Sequence, residues 1–173
     1  MKTISGLKIM NGGIIFTALV CSGLEGMIIG PVQQLFAYPS AYVSSVFLGV
    51  SPVFTEGREV LIPVSHQFIN VTSKCSAFGF FCLLSAVLMI RMIPSLQKQK
   101  ILTALVLSLP PAYLITVAAN GVRIICAYYT YRIGRLILPP NFQPALHQGV
   151  GIAVFLSTLI AVTLILERIP RHE

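Results

Sequence analysis

The sequence predicts an all-α fold, a polytopic transmembrane helical bundle of about four to five spans with an outward-facing site. The first observation is composition: 55% of the 173 residues are hydrophobic and only 10% are charged. Soluble domains carry about 25% charged residues, so these few charges cannot cover a globular surface in water. The second observation is that four apolar stretches each approach the ~20 residues that a helix needs to cross a ~30 Å hydrocarbon core.

The four predicted spans cover about residues 7–29, 75–93, 101–119 and 149–166. The first follows a short basic start, so a cleaved signal peptide is a competing interpretation. Its apolar part is long for a signal peptide, and no small-x-small cleavage site clearly ends it. We therefore predict a retained span, and a single integral membrane domain over residues 1–173.

The segment 31–74 differs from the four spans. It contains four prolines and the charged string EGREV, which do not suit a membrane-crossing helix. We predict an extracytoplasmic or interfacial segment, and a further partial span through AYVSSVFLGV stays open.

Composition also excludes some chemistry. The chain has no aspartate and five glutamates, which rules out an aspartic-protease dyad and argues against a carboxylate-rich metal cage. The cysteines show no C-x-x-C spacing, so zinc ribbons and thioredoxin-like motifs are unsupported. There are four of them: Cys21, Cys75, Cys82 and Cys126.

The basic residues predict the orientation, because positive charge concentrates on the cytoplasmic side of a membrane protein. With both termini cytoplasmic, seven basic residues share the inner side: Lys2, Lys8, Arg91, Lys98, Lys100, Arg168 and Arg171. The outer side then has five, spread over two longer segments: Arg58, Lys74, Arg123, Arg132 and Arg135. In such a protein the net charge of +7 reports topology rather than nucleic-acid binding.

This topology brings three chemically distinct residues to the outer face. Cys75 opens the second span, Arg123 follows the third, and His147 precedes the fourth. A thiol, an imidazole and a fixed positive charge together are the groups that nucleophilic catalysis requires. Each also has a structural interpretation: a cysteine as apolar filler, an arginine that reaches the headgroups, and an interfacial histidine.

The local sequence around each residue suits its catalytic role. Thr72 or Ser73 can cap the second span, which would place Cys75 in the first helical turn, where the helix dipole favours a thiolate. In NFQPALHQGVG, a proline near the helix start places His147 in the opening turn. In AANGVRII, Arg123 is expected at the C-terminal end of a helix, where cations are favoured.

Three strings, CSAFGFF, NGVRI and LHQGVGIAVF, together resemble the exosortase/archaeosortase family, and the short single-domain form is similar to exosortase K-type members. The resemblance covers about residues 60–166. It implies a multi-span membrane enzyme with Cys75 as nucleophile, Arg123 as electrostatic stabiliser and His147 as general acid/base.

The resemblance also implies the reaction and its partners. A cysteine transpeptidase or protease would cleave C-terminal sorting signals at the outer membrane surface through a thioester, with no metal or organic cofactor. Its partners would be secreted proteins that end in a short motif, a transmembrane helix and a basic tail, together with membrane lipid and no nucleic acid.

Two residues compete with this assignment. The family cysteine is often followed by Ser-Gly-Leu, and that string occurs at Cys21 rather than Cys75. Cys21 would lie ~20 Å into the first span, where a thiolate is costly, so Cys75 is preferred. Glu25, one turn from Cys21, stays unexplained, and His66 is a second outer histidine that could replace His147.

Two other functional classes remain open. One is a membrane thiol oxidoreductase, although Cys75 and Cys82 would be ~10 Å apart along one helix, too far for a disulfide without distortion. The other is a non-catalytic transporter subunit or assembly factor, which would tolerate the loss of Cys75.

Overall fold

The computed structural model describes residues 2–23, 31–55, 59–64, 67–72, 75, 77–92, 101–137, 139 and 142–168. This part of the chain is mostly helical, as predicted. Its helices are α1 (Lys2–Gly23), α2 (Pro31–Leu48), α3 (Phe78–Met92), α4 (Ile101–Ile137) and α5 (Gln143–Arg168). Its strands are β1 (Val53–Phe54), β2 (Val60–Val64) and β3 (Gln67–Val71).

Two of the described helices are long and apolar enough to cross a membrane. These segments are Leu102–Gly134 of α4 and Ala145–Arg168 of α5. Only 6% of the apolar window of α5 is buried inside the protein, so most of its apolar side chains face outward. Two further apolar helical stretches are shorter, Asn11–Cys21 and Phe78–Met92.

The chain divides into two compact units. The first comprises Met1–Ile29, Phe78–Thr116 and Val162–Glu173, and the second comprises Gly30–Ala77 and Val117–Ala161. All three predicted site residues belong to the second unit.

In the first unit, α1 packs against α3. Met89 and Ala104 are buried there, with Ile14 packed against them. Arg91 donates a hydrogen bond from Nη2 to the carbonyl oxygen of Leu166 at 2.8 Å. This arginine therefore has a partner at the C-terminal end of α5, where carbonyl groups lack helical donors.

The second unit contains an antiparallel sheet in the order β1-β2-β3, which the all-α prediction missed. Val60, Ile62 and Val71 are almost fully buried and form a core with α2 and with Ile124 of α4. Branched side chains at alternating positions favour such a half-buried strand. Pro63 interrupts the strand signal in the sequence, because proline is rare inside sheets.

The helix α2 also lies in the segment that was expected to be interfacial. It ends at Leu48, and the following Gly49 has a φ of +68°, in the left-handed region that favours glycine. The N–H of Gly49 donates to the carbonyl of Val46 at 3.2 Å, and that of Val50 to the carbonyl of Ser45 at 3.0 Å. This pair of bonds is the Schellman arrangement, which satisfies the last carbonyls of a helix.

Small residues bring α2 and α4 close together within the second unit. Ser40 Oγ donates to the carbonyl of Val117 at 3.3 Å, and Ser44 Oγ lies 3.1 Å from the carbonyl oxygen of Gly121. A Cβ atom at Gly121 would lie 2.9 Å from Cγ1 of Val43. Such contacts are typical of helix pairs in membranes, where small residues allow close approach. They fix the part of α4 that carries the predicted site arginine.

Candidate active site

Cys75 lies in a single 3₁₀ turn directly after β3. Its N–H donates to the carbonyl of Thr72 at 2.9 Å. Helix α3 begins only at Phe78, and Ala77 has a φ of +56°. The prediction that Cys75 occupies the first turn of a helix is therefore wrong, because a left-handed residue separates the turn from the helix. Cys75 lies outside α3, so the expected stabilisation of a thiolate from within its first turn loses its basis.

Two contacts fix the position of Cys75. Its side chain packs against the buried core of the second unit. Its carbonyl oxygen accepts a hydrogen bond from Nδ2 of Asn120, a fully buried residue of α4. Cys75 is half-buried, so it is anchored by the core and still accessible.

A cavity of about 330 Å³ brings the thiol and an imidazole together. One wall is formed by all of β3, and another by Ile124, Ala127 and other residues of α4. Cys75 lines it from the turn after β3, and His147 lines it from α5. Residues from three elements that are distant in sequence therefore share one cavity.

His147 is the fifth residue of α5, close to the predicted position at the helix start. It is exposed, and Gly151, one helical turn further along α5, lies against Arg123. The neighbouring Leu146 packs closely on α4, since a Cβ atom at Gly134 would lie 2.9 Å from its Cδ1. This close approach sets the distance between the start of α5 and the α4 wall of the cavity.

Arg123 lies well inside α4, which continues to Ile137. The expectation that it terminates a helix is wrong, because the helix extends past the apolar run into the Tyr- and Arg-containing sequence that follows. The guanidinium carbon lies 5.4 Å from the ring centroid of Phe155 on α5, a cation–π distance. A Cβ atom at Gly151 would lie 2.8 Å from Nε of Arg123. Gly151 therefore provides the space that the arginine occupies.

The guanidinium of Arg123 is closely packed, and one of its hydrogen-bond donors has no partner among the described residues. Its Nε is buried and has no hydrogen-bond partner within the described residues. Arg123 does not line the cavity itself, but it is three residues from Asn120 and so shares its face of α4. One helix face thus carries the amide that anchors Cys75 and the cation that packs against α5 one turn beyond His147.

The other candidates fall elsewhere. Cys21 and Cys82 line a separate cavity in the first unit, and Cys126 is half-buried in α4. None of the four cysteines, all of which the structure describes, forms a disulfide. His66, Glu25 and Lys74 lie outside the described residues. No group of three His, Cys or Glu side chains suited to a metal occurs in the described part of the chain.

Sequence reasoning missed three residues that support the site. Asn120 was detectable as an uncharged polar residue inside an apolar helix. Phe155 and Gly151 were not detectable in this way. Nothing in the sequence distinguishes Gly151 from Gly149, where an added Cβ atom would meet nothing within 4 Å.

Comparison of the chain with protein-family models, with curated proteins and with solved structures finds no match. The exosortase/archaeosortase resemblance therefore rests on the three short strings around Cys75, Arg123 and His147.

Proposed function

We propose that this chain is a membrane-embedded cysteine peptidase or transpeptidase with Cys75 as its nucleophile. One observation carries the proposal: Cys75 and His147 line the same cavity, and Arg123 lies against Gly151, one helical turn beyond His147 on α5. A thiol and an imidazole that line one cavity, with a fixed cation packed on the same helix as the imidazole, suit acyl transfer.

The reaction proceeds in two halves. His147 accepts the thiol proton as Sγ of Cys75 bonds to a peptide carbonyl carbon. The C–N bond then breaks, the leaving amine takes the proton from His147, and a thioester stays on Cys75. Water or a second amine then attacks the thioester carbonyl carbon, and the C–S bond breaks. The proton that the nucleophile loses passes through His147 to Sγ of Cys75, which restores the thiol. Arg123 does not line the cavity, so its positive charge stabilises the oxyanion of each half through the cavity wall rather than by direct donation.

The proposal includes a location in the cell membrane, as a multi-pass protein with about four to five spans. The two long apolar helices and the distribution of basic residues support this location. Both termini are cytoplasmic, and the Cys75 cavity faces outward. The substrates, by resemblance, are secreted proteins with a C-terminal motif, a transmembrane helix and a basic tail.

A chromosomal Cys75→Ala substitution in the organism that encodes the chain tests the function. Mass spectrometry of C-terminal peptides from the secreted and membrane proteins should show tails that the unaltered strain removes. Cys126→Ala is the matched control, because Cys126 is a free cysteine of the same unit and should leave processing intact. Normal processing by Cys75→Ala would contradict the proposal and leave an oxidoreductase or a non-catalytic subunit as alternatives.

A further inference from the structure

The strand β3 lies at the edge of the sheet. It pairs with β2 on one side, and the described residues place no strand on its other side. The register pairs Pro63 with Phe68. Proline has no N–H, so this pair cannot be one that exchanges two hydrogen bonds. The N–H and C=O groups of Phe68 therefore point away from β2, toward the open edge.

The alternation of antiparallel pairing gives Asn70 the same orientation as Phe68. Within the described chain, no backbone bond satisfies these outward groups of either residue. Phe68 is also 66% exposed. Among the described residues, Phe68 and Asn70 thus present unpaired backbone N–H and C=O groups at the open edge. Their two-residue spacing is the one that pairing with a further strand requires.

This open edge borders the candidate active site. Every residue of β3 lines the cavity that Cys75 and His147 share, and Cys75 follows the strand by one turn. The facing wall is mainly apolar, with Ile124, Ala127 and Leu146, and it also carries the hydroxyl-bearing residues Tyr128, Thr130 and Tyr131. A strand added at ~4.8 Å from β3 would run along the cavity between the sheet and α4.

We propose that the scissile segment of the substrate binds in extended form, as a fourth strand on the open edge of β3. The proposal rests on the function above and names the form in which the substrate binds. Attack by a thiol requires an exposed peptide carbonyl, which an extended chain presents. Main-chain hydrogen bonds to Phe68 and Asn70 supply affinity with little dependence on sequence. The apolar wall then selects small or apolar side chains.

Alkylation of the full-length protein in detergent micelles tests this binding mode. The probe is acetyl-Ala-Ala-Ala-chloromethyl ketone, and chloroacetone carries the same reactive group without a peptide. We expect the peptide to alkylate Cys75 at least about tenfold faster. N-methylation of alternate peptide nitrogens should slow it by about three- to tenfold per lost hydrogen bond, and methylation of the intervening nitrogen should not. An equal effect at every nitrogen, or no peptide advantage, would overturn the proposal.

Two variants at one position provide a matched pair. Asn70→Pro removes an outward N–H and leaves the hydrogen bonds between β3 and β2 in place. Edge strands tolerate proline at such a position. Asn70→Ala keeps that N–H but loses the side-chain bond to Glu59 at 2.7 Å. We expect the ratio of the peptide rate to the chloroacetone rate to fall in Asn70→Pro and to stay higher in Asn70→Ala. Equal rate ratios in the two variants would contradict binding of the peptide at the open edge of β3. If Asn70→Pro does not fold, the N-methylated probes on the unaltered protein decide.

The two proposals can fail separately. If Cys75→Ala still processes substrates, the catalytic function is wrong. If Cys75 is required for processing but the alkylation rates show no alternation, only the edge-strand binding mode is wrong.

Discussion

Substitution of Gly151 by alanine should displace Arg123 and lower activity without unfolding the protein. The added Cβ atom would lie 2.8 Å from Nε and 3.3 Å from Cζ of Arg123. Ordinary contact begins at 3.4 Å, so the guanidinium must move by about 0.6 Å to restore a contact distance. The clash falls on Nε and Cζ of Arg123 rather than on the flexible end of a side chain. Cζ also lies over the ring of Phe155.

The expected loss follows from this displacement. A misplacement of about 1 Å in a catalytic site can cost 10²-fold in rate, and complete loss of an oxyanion donor costs about 10²–10³-fold. We therefore expect Gly151→Ala to lower processing by about 10- to 100-fold, or about 1.4 to 2.7 kcal/mol of transition-state stabilisation. Helix propensity acts the other way, because alanine favours a helix over glycine by up to about 1 kcal/mol.

Gly149→Ala is the matched control. It lies on the same helix and gains the same propensity, but a Cβ atom there meets nothing within 4 Å. The assay is removal of C-terminal tails from host proteins, at matched membrane expression of each variant. The double variant Gly151→Ala/Arg123→Ala should be no worse than Arg123→Ala, because both changes act through one side chain. Equal activity of Gly151→Ala and Gly149→Ala would refute the role given to the position of Arg123.

Three further substitutions test other contacts of the site. Arg123→Lys keeps the charge but loses the planar guanidinium, so processing should fall by at least about tenfold. Alanine at the exposed Arg132 should be tolerated. The reverse ranking of the two variants would mean that the wrong arginine was assigned to the site. Asn120→Ala removes the donor to the Cys75 carbonyl, so it should lower the unfolding free energy by about 1–3 kcal/mol. An unchanged melting temperature in detergent would show that this hydrogen bond does not stabilise the fold. Gly121→Ala places a Cβ atom 2.9 Å from a valine of α2, so it should lower the unfolding free energy by about 1–3 kcal/mol. A melting temperature equal to that of the unaltered protein would show that α2 and α4 can move apart without cost.

Hydrophobicity predicted four of the five described helices, all but α2, and did not predict where they end. The third apolar run was expected to end near residue 119, yet α4 continues to Ile137. Backbone hydrogen bonding does not require apolar side chains, so the Tyr- and Arg-containing sequence continues the helix. This extension changes the setting of Arg123 from a helix end to a helix interior.

The sheet was hidden for a different reason. Its longer strands have five residues each, and β2 contains Pro63, which argues against a strand by local rules. The proline is tolerated because its position in the register needs no N–H. Only the pairing of β2 with β3 reveals this, and pairing depends on tertiary contacts that a single sequence does not display.

The sequence nominates the residues of the candidate site but does not give its geometry. Chemistry and position along the chain selected Cys75, Arg123 and His147. The turn that separates Cys75 from α3 depends on the φ of Ala77, which no propensity predicts for an alanine. The space for Arg123 depends on a single missing Cβ atom at Gly151.

A covalent intermediate on Cys75 is the most direct test of the catalytic account. Membranes from the host would be quenched in acid, and peptides that contain Cys75 would be analysed by mass spectrometry with and without hydroxylamine. We predict a thioester-linked peptide on Cys75 that hydroxylamine removes and that is lost in His147→Ala, because formation of the thioester needs the imidazole as base and acid. An unmodified Cys75 throughout active turnover, together with normal processing by Cys75→Ser, would contradict the account.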